Sequence, residues 1–478
     1  MAAVYKHGIE TEEREINVVE SVEGTSGLQV IVGTAPSGTY VNTPLLVSSA
    51  SEAMEKLGYS EDFERYTLCA SMLAMSTFRV TPAVFINVLD PARHKKDNAE
   101  KEYQVTNKAV TYNVENVIES SITVKNGDAK LAKGTDYLVD VTGAYPVISL
   151  LTSGSAADAT AIKISSSSVD PAAVAKEDII GGYDAATGAM KGLECIRQVY
   201  PMFGMVPGLL LAPGWSQVPE VAAVMQAKTQ LLNGVFDTFA VLDIDTERAK
   251  TYDTAAAAKD GGGINSSNAV ALWPMVKFGG KNMPYSAVWA AMTAYTDAEH
   301  NDMPYKSPSN ELVNVSAAVL KDGTEVNLDQ EQAAELNGAG IVTAINLEGW
   351  RSWGNNTAAY PGTDNNKDRW IACRRMLNWY KNRFILQYVS TIDQPNNPRL
   401  VENLVDSENL FLNGLTANGY IAGGRISYVP EANPIGDVLD GDVVFDTNIA
   451  FWTPAKYIKN RIVFNPNLIQ QAFENARA

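Results

Sequence analysis

Leu28-Gln29-Val30-Ile31-Val32-Gly33-Thr34-Ala35-Pro36 is the stretch that sets the fold class. Its unbroken apolar run, closed by Gly33 and Pro36, reads as a short buried strand ended by turn residues. Downstream, Ser48 to Leu57 has helical spacing and stops at Gly58, a usual helix terminator. Tyr66 to Phe78 predicts a second helix, and Val84 to Leu89 is another apolar run of strand length before Asp90-Pro91. Strand, helix, helix, strand is the rhythm of a layered α/β domain.

That rhythm stops at Lys95. Residues 97–182 are rich in Thr, Val and Ser, and Ser121-Ile122-Thr123-Val124 leads into Asn126-Gly127, a strong hairpin signal. Strands predicted at Tyr137–Val139 and Val147–Leu150 complete an all-β module, read as inserted because α/β rhythm resumes after Gly181-Gly182. Strands follow at Pro207–Gly214, Thr238–Asp243 and Ala269–Phe278, with helices at Val218–Leu232, within Asp253–Asn268, and at Ser286–Tyr295. After Gly340 the pattern becomes α+β. Helices are predicted over Lys367–Tyr388 and Pro398–Leu415, and strands over Gly424–Val429 and Lys459–Phe464.

The expected fold class is therefore α/β and α+β multidomain: a layered α/β core with an inserted all-β module, an α+β C-terminal domain and extended terminal arms. The expected division is an N-terminal arm at 1–27, a discontinuous core at 28–96 and 183–340, the insertion at 97–182, an inner α+β domain at 341–455, and a C-terminal arm at 456–478. The first arm is acidic, with six Glu against one Arg between Glu10 and Glu23, and cannot bury itself. Ile16, Val18 and Val19 within it, and Lys459, Arg461, Ile462, Val463 and Phe464 in the second arm, suit strands added to another subunit's sheet.

At 478 residues the chain holds several domains, and 46% apolar against 19% charged residues excludes disorder over most of it. The net charge of −17 argues against a nucleic-acid coat or a protein held on anionic lipid. No apolar stretch is long enough to span a bilayer, and Met1–His7 shows no secretory signal. Cys69, Cys195 and Cys373 read as buried reduced thiols of a chain folded in a cytosol, and with His7, His94 and His300 they match no zinc spacing.

The search for chemistry finds no nucleophile elbow and no phosphate loop. Gly338-Ala339-Gly340 lacks the third glycine of a dinucleotide fingerprint and reads as a helix cap before a strand. Asp243 and Asp245, at a strand end, could hold Mg²⁺ in a metal-dependent α/β enzyme; the competing reading is that Asp245 or Thr246 caps a helix starting at Glu247. His94, beside Lys95 and Lys96, reads as a solvated boundary cluster. Trp350–Gly354 reads as packing at a domain seam rather than a stacking platform. Lys367 to Arg383 carries six cations against Asp368 alone, a charge of +5, read either as a solvated helix face or as a docking surface for an acidic partner. No catalytic residue, cofactor or metal is assigned. An adhesion protein using the β module is a further alternative.

Several short segments, in this order, resemble the contractile tail sheath family of tailed bacteriophages and phage-tail-like particles. They are Lys6-His7-Gly8, Val32–Pro36, Asn87–Pro91, Ile180-Gly181-Gly182, Thr187-Gly188, Leu211–Gly214, Ser307–Asn310, Leu336-Asn337 to Gly340-Ile341, Trp353-Gly354, Arg374-Arg375 and Leu412–Leu415. The resemblance covers most of residues 1–96 and 180–478. Where the family commonly continues Ala-Arg-Thr after Trp-Gly, this chain has Asn355-Asn356-Thr357, so no role of that arginine carries over.

The resemblance implies a non-enzymatic subunit without cofactors, assembled in a bacterial cytoplasm into a virion or particle tail. Its partners would be further copies of itself in stacked rings, a tail tube protein, and baseplate and tail terminator proteins, with no direct nucleic-acid or membrane contact. A DNA-free bacteriocin or injection particle is the alternative setting. Arms would donate strands to neighbouring subunits, and the insertion would decorate the outer surface. Candidate tube-facing residues are Arg374 and Arg375 on the first long helix, favoured by charge, and Glu402, Asp406 and Glu408 on the second, favoured by resemblance.

Overall fold

The computed structural model describes residues 26–141 and 145–475. The arm strand expected around Ile16, Val18 and Val19 lies outside the described residues. The described chain is mixed α/β and multidomain, with separate apolar clusters in the main sheet layer, in the β-rich segment and near the C-terminus.

The central sheet has eight strands, in the order Leu45–Val47, Ala83–Asn87, Gln29–Gly33, Leu209–Leu211, Phe239–Asp243, Ala269–Leu272, Ile341–Asn346, Trp350–Trp353. The inner strands are parallel and the two outer ones antiparallel. Gln29–Gly33, Ala83–Asn87 and Phe239–Asp243 are buried along their whole length, which is why they read as continuous apolar runs. The helix Tyr285–Ala298 packs against Leu68–Phe78 and crosses the central strands.

Four expectations require correction. The boundary at residue 340 cuts through the sheet: Ile341 pairs with Ala271 and Val342 with Leu272, so 341–353 belong to the α/β core. Gly340, at φ 72, makes the left-handed turn that sends the chain from the helix Gln330–Gly338 directly back into the sheet. Ala269–Phe278 is not one strand. Pro274, which has no N–H to give a ladder, separates Ala269–Leu272 in the main sheet from Met275–Phe278 in a smaller antiparallel sheet. No helix begins at Glu247: Asp245 Oδ1 accepts the Glu247 N–H at 2.8 Å within a turn, and the next helix is Tyr252–Gly261. His94 is buried, not solvated, with Nδ1 accepting the Asp90 N–H at 2.9 Å and Nε2 3.2 Å from Asp178.

The β-rich segment is built on the long antiparallel pair Lys95–Gln104 and Ala161–Val169, in which Lys95 and Val169 lie opposite each other. Chain entry and exit are thus adjacent, and Asp170 N–H donates to the His94 carbonyl at 2.8 Å. The segment has its own apolar cluster around Tyr112, Val124, Ile148 and Ile164. Residues after Val169 leave it, for Val174 and Ile179 are buried in the main core.

Candidate functional site

The helix Ile371–Tyr388 starts at Trp370, after the short turn Asn366–Arg369. Its apolar face is not opposed by solvent. Arg374 and Arg375 are buried, and each meets acids from distant parts of the chain. Arg375 Nη1 donates to Asp297 Oδ1 at 3.0 Å and Nη2 donates to the Ser26 carbonyl at 3.2 Å, with a second, closer contact to Asp297. Ser26 Oγ donates to Asp297 at 3.0 Å and to Asp302 at 3.3 Å. Arg374 donates to Asp368 at 3.0 Å and to Asn268 at 2.6 Å, while Lys381 pairs with Asp237. Arg383 pairs with Glu408, which also accepts from Tyr388 Oη at 2.8 Å.

The sequence reading of a +5 helix surface is therefore wrong for its main cations. Arg374, Arg375 and Glu408 are buried and bonded within the fold, so none of them faces a tube in this chain. Periodicity identified the apolar face, but the acids that neutralise the other face lie at 237, 297 and 408. Burial, reinforced by the neighbouring Asp297, raises the Asp302 carboxyl to about 6. Glu402 and Asp406 are exposed, one turn apart on the helix Pro398–Ala417.

Beyond this helix pair, Gly423–Tyr428 and Phe445–Ala450 form a two-stranded antiparallel sheet. One edge is closed: Asn409 donates to the Ile426 carbonyl at 3.0 Å and accepts the Ile426 N–H at 3.0 Å. Ile426 thus turns its main-chain groups away from its partner strand. In an antiparallel pair the opposite residue, Thr447, must then do the same on the other side. No strand among the described residues covers that second edge. It is an open template for main-chain pairing.

The chain then runs without regular structure from Phe451 to Asn465, and the last described element is the helix Asn467–Asn475. Lys459, Arg461, Ile462, Val463 and Phe464 are all exposed, Ile462 at 86% and Phe464 at 79%. The terminal helix leaves Leu468, Ile469 and Phe473 exposed too. Contiguous exposed apolar side chains of this kind are a signature of an interaction surface.

Asp243 and Asp245 both line one cavity of about 570 Å³, but each is engaged by its own partners. Asp243 is buried at the end of its strand and accepts from Ser286 N–H at 2.8 Å, from Ser286 Oγ, and from Ser216 Oγ at 3.2 Å. It caps the helix Tyr285–Ala298 from outside that helix, and burial raises its carboxyl to about 6. Asp245 instead serves the turn described above and lies 3.4 Å from Arg248. Among the described residues no group of three or more His, Cys, Asp or Glu could hold a metal ion. Cys69, Cys195 and Cys373 are free and buried.

No family model matches the chain. Its sequence is 28% identical over 465 residues to the tail sheath protein of Burkholderia phage BcepMu, covering 93% of this chain and 94% of that protein. Over nearly its whole length the chain is thus similar to a phage tail sheath protein. A putative prophage major tail sheath protein of Pseudomonas aeruginosa is 24% identical over 282 residues, covering 58% of this chain and 70% of that protein. The tail sheath protein of Escherichia phage P2 is 24% identical over 297 residues, covering 59% and 68%. In fold, the chain is similar to the sheath complex of the extracellular contractile injection system PVC in its contracted state. That match has a TM-score of 0.59 at 15% identity, covering 98% of this chain and 100% of that one. The contracted helical sheath of the anti-feeding prophage gives a TM-score of 0.55 at 14% identity, covering 97% and 100%.

Proposed function

We propose that this chain is the repeating subunit of a contractile tail sheath. Copies polymerise as a helical tube around an inner tail tube, and their rearrangement into a shorter, wider helix drives that tube through a bacterial envelope. Homology to a phage tail sheath protein across nearly the whole chain carries this reading. Its relatives are structural sheath proteins, which points to a non-enzymatic role; the metal-dependent reading loses its basis because Asp243 and Asp245 are engaged separately.

The arms are the linkers in this proposal. Segments 1–27 and 456–478 add strands to the open edge of Phe445–Ala450 on neighbouring subunits, through Ile16, Val18 and Val19 on one side and Lys459–Phe464 on the other. A heterologous contact repeated by a screw operation generates a tube rather than a closed dimer. Main-chain pairing keeps subunits joined while their cores move as rigid bodies. The β-rich segment projects outward, and Glu402 and Asp406 face the tube. Baseplate and terminator proteins cap the polymer, within a virion tail or a related particle. No described helix is long and apolar enough to cross a membrane. Negative-stain microscopy of the purified full chain tests the proposal: long hollow tubes are expected, and a chain that stays monodisperse at assembly concentrations would refute it.

A further inference from the structure

A groove of about 810 Å³ lies where the start of the C-terminal tail passes over the edge of the main sheet. Trp353, Trp370 and Trp452 line it together with Lys306, Arg369 and Lys456, and no Asp or Glu is among its lining residues. On a chain of net charge −17 that is an unusual composition. Lys306 has its own acid, Glu311, at 2.5 Å. Arg369 has no carboxylate partner among the described residues. Its guanidinium is held by Asn356 at 3.1 Å and stacks over the Tyr360 and Trp370 rings at 4.2 and 4.3 Å. It is therefore pre-oriented without being neutralised. The indole N–H of Trp370, a residue only 6% exposed, has no partner among the described residues either.

The first described residue, Ser26, is linked to the groove wall through a short stretch of chain. Ser26 is bonded to Asp302 and lines a small cavity with Pro304, whose chain neighbour Tyr305 lines the groove. The residues before Ser26 carry the acidic run, with Glu10, Glu12, Glu13 and Glu15 farthest from this root. Ten intervening residues can span roughly 35 Å when extended, enough to lay that run along the groove. A tethered segment sees its site at an effective concentration in the millimolar range, so weak ion pairs suffice.

We infer that in the free subunit the acidic run Glu10–Glu15 docks in its own groove against Arg369 and Lys456. The arm is parked there until a growing polymer captures it. The effect on polymerisation rests on the sheath reading, whereas the docking does not. Limited digestion of the full chain with a glutamate-specific endoprotease tests it, reading cleavage after Glu10 and Glu15. Slow cleavage at low salt is expected, independent of protein concentration, and accelerated at about 1 M salt, where the Debye length falls to about 3 Å.

Arg369→Glu, which replaces an attraction by a repulsion at the anchor, should speed cleavage about tenfold. Adding Glu12→Arg and Glu13→Arg should restore protection after Glu10 and Glu15. Lys456→Glu, at an exposed tail position, provides the same test without risk to folding. Equal cleavage in wild type and both single variants would overturn the proposal, as would protection that vanishes on dilution, since a second copy would then supply the arm. Tube formation by the same samples is scored separately, so a failed docking leaves the sheath reading standing, and the reverse.

Discussion

Arg375 is predicted to be the residue whose loss does most damage without touching any apolar contact. Its side chain is 3% exposed and that of Asp297 is 0% exposed, so the pair is fully withdrawn from water. Replacing Arg375 with Met keeps the volume of the stem but strands a buried carboxylate and removes the donor to the Ser26 carbonyl. Removing one member of such a pair costs about 3–5 kcal/mol, because the remaining charge is desolvated and unpaired. At roughly 2 °C per kcal/mol for a large domain, the melting temperature should fall by about 6–10 °C. Adding Asp297→Asn should recover part of that loss, since the stranded charge goes with it. Thermal melts of the two single variants and the double variant measure the coupling directly. A drop under about 2 °C for Arg375→Met, below the smallest shift that the cost of breaking a buried pair allows, would refute the reasoning. So would a double variant less stable than both singles, because Arg375 would then not be the pin between the first described residues and the long C-terminal helix.

Charge reversal at Glu402 and Asp406, both exposed, should leave the melting temperature unchanged while loosening sheath from tube in co-sedimentation; reversal at Arg374 and Arg375 should instead unfold the chain. Deleting 456–478 should leave the core transition in place and abolish tubes in electron micrographs, and regular tubes from the truncated chain would remove the strand-exchange argument. Replacing residues 96–168 by a short Gly/Ser linker should preserve folding and polymerisation, because Lys95 and Val169 already lie side by side. Asp243 gives a pH signature. Its folded carboxyl titrates at about 6 against about 3.9 unfolded, so its contribution to stability is fully present below about pH 4 and is lost as pH rises through about 6. The span corresponds to about 3 kcal/mol, and Asp243→Asn should abolish that part of the wild-type pH dependence in denaturant titrations.

How much of this was readable from the residues divides by the range of the forces involved. Gln29–Gly33, Ala83–Asn87 and Phe239–Asp243 were legible as strands because burial on both faces demands an unbroken apolar run, and such a run is visible locally. Asn126-Gly127 announced its hairpin because the first residue of the two-residue turn, Gly127, must take a positive φ, here 59, while Asn126 closes the strand opposite Ala129. The tail segment from Lys459 to Phe464 could likewise be recognised as lacking partners in its own core. Tertiary structure alone decided which strands lie side by side, and hence that Ile341–Trp353 extends the core sheet instead of opening a new domain. It also decided the fate of the cations between Lys367 and Arg383. Helical periodicity is a property of neighbours three and four residues away, whereas Arg375 meets Asp297, Arg383 meets Glu408 and Lys381 meets Asp237. A charge in sequence is solvated until the fold brings its counter-ion, and the chain bends that bring these pairs together leave no local mark in the residues that form them.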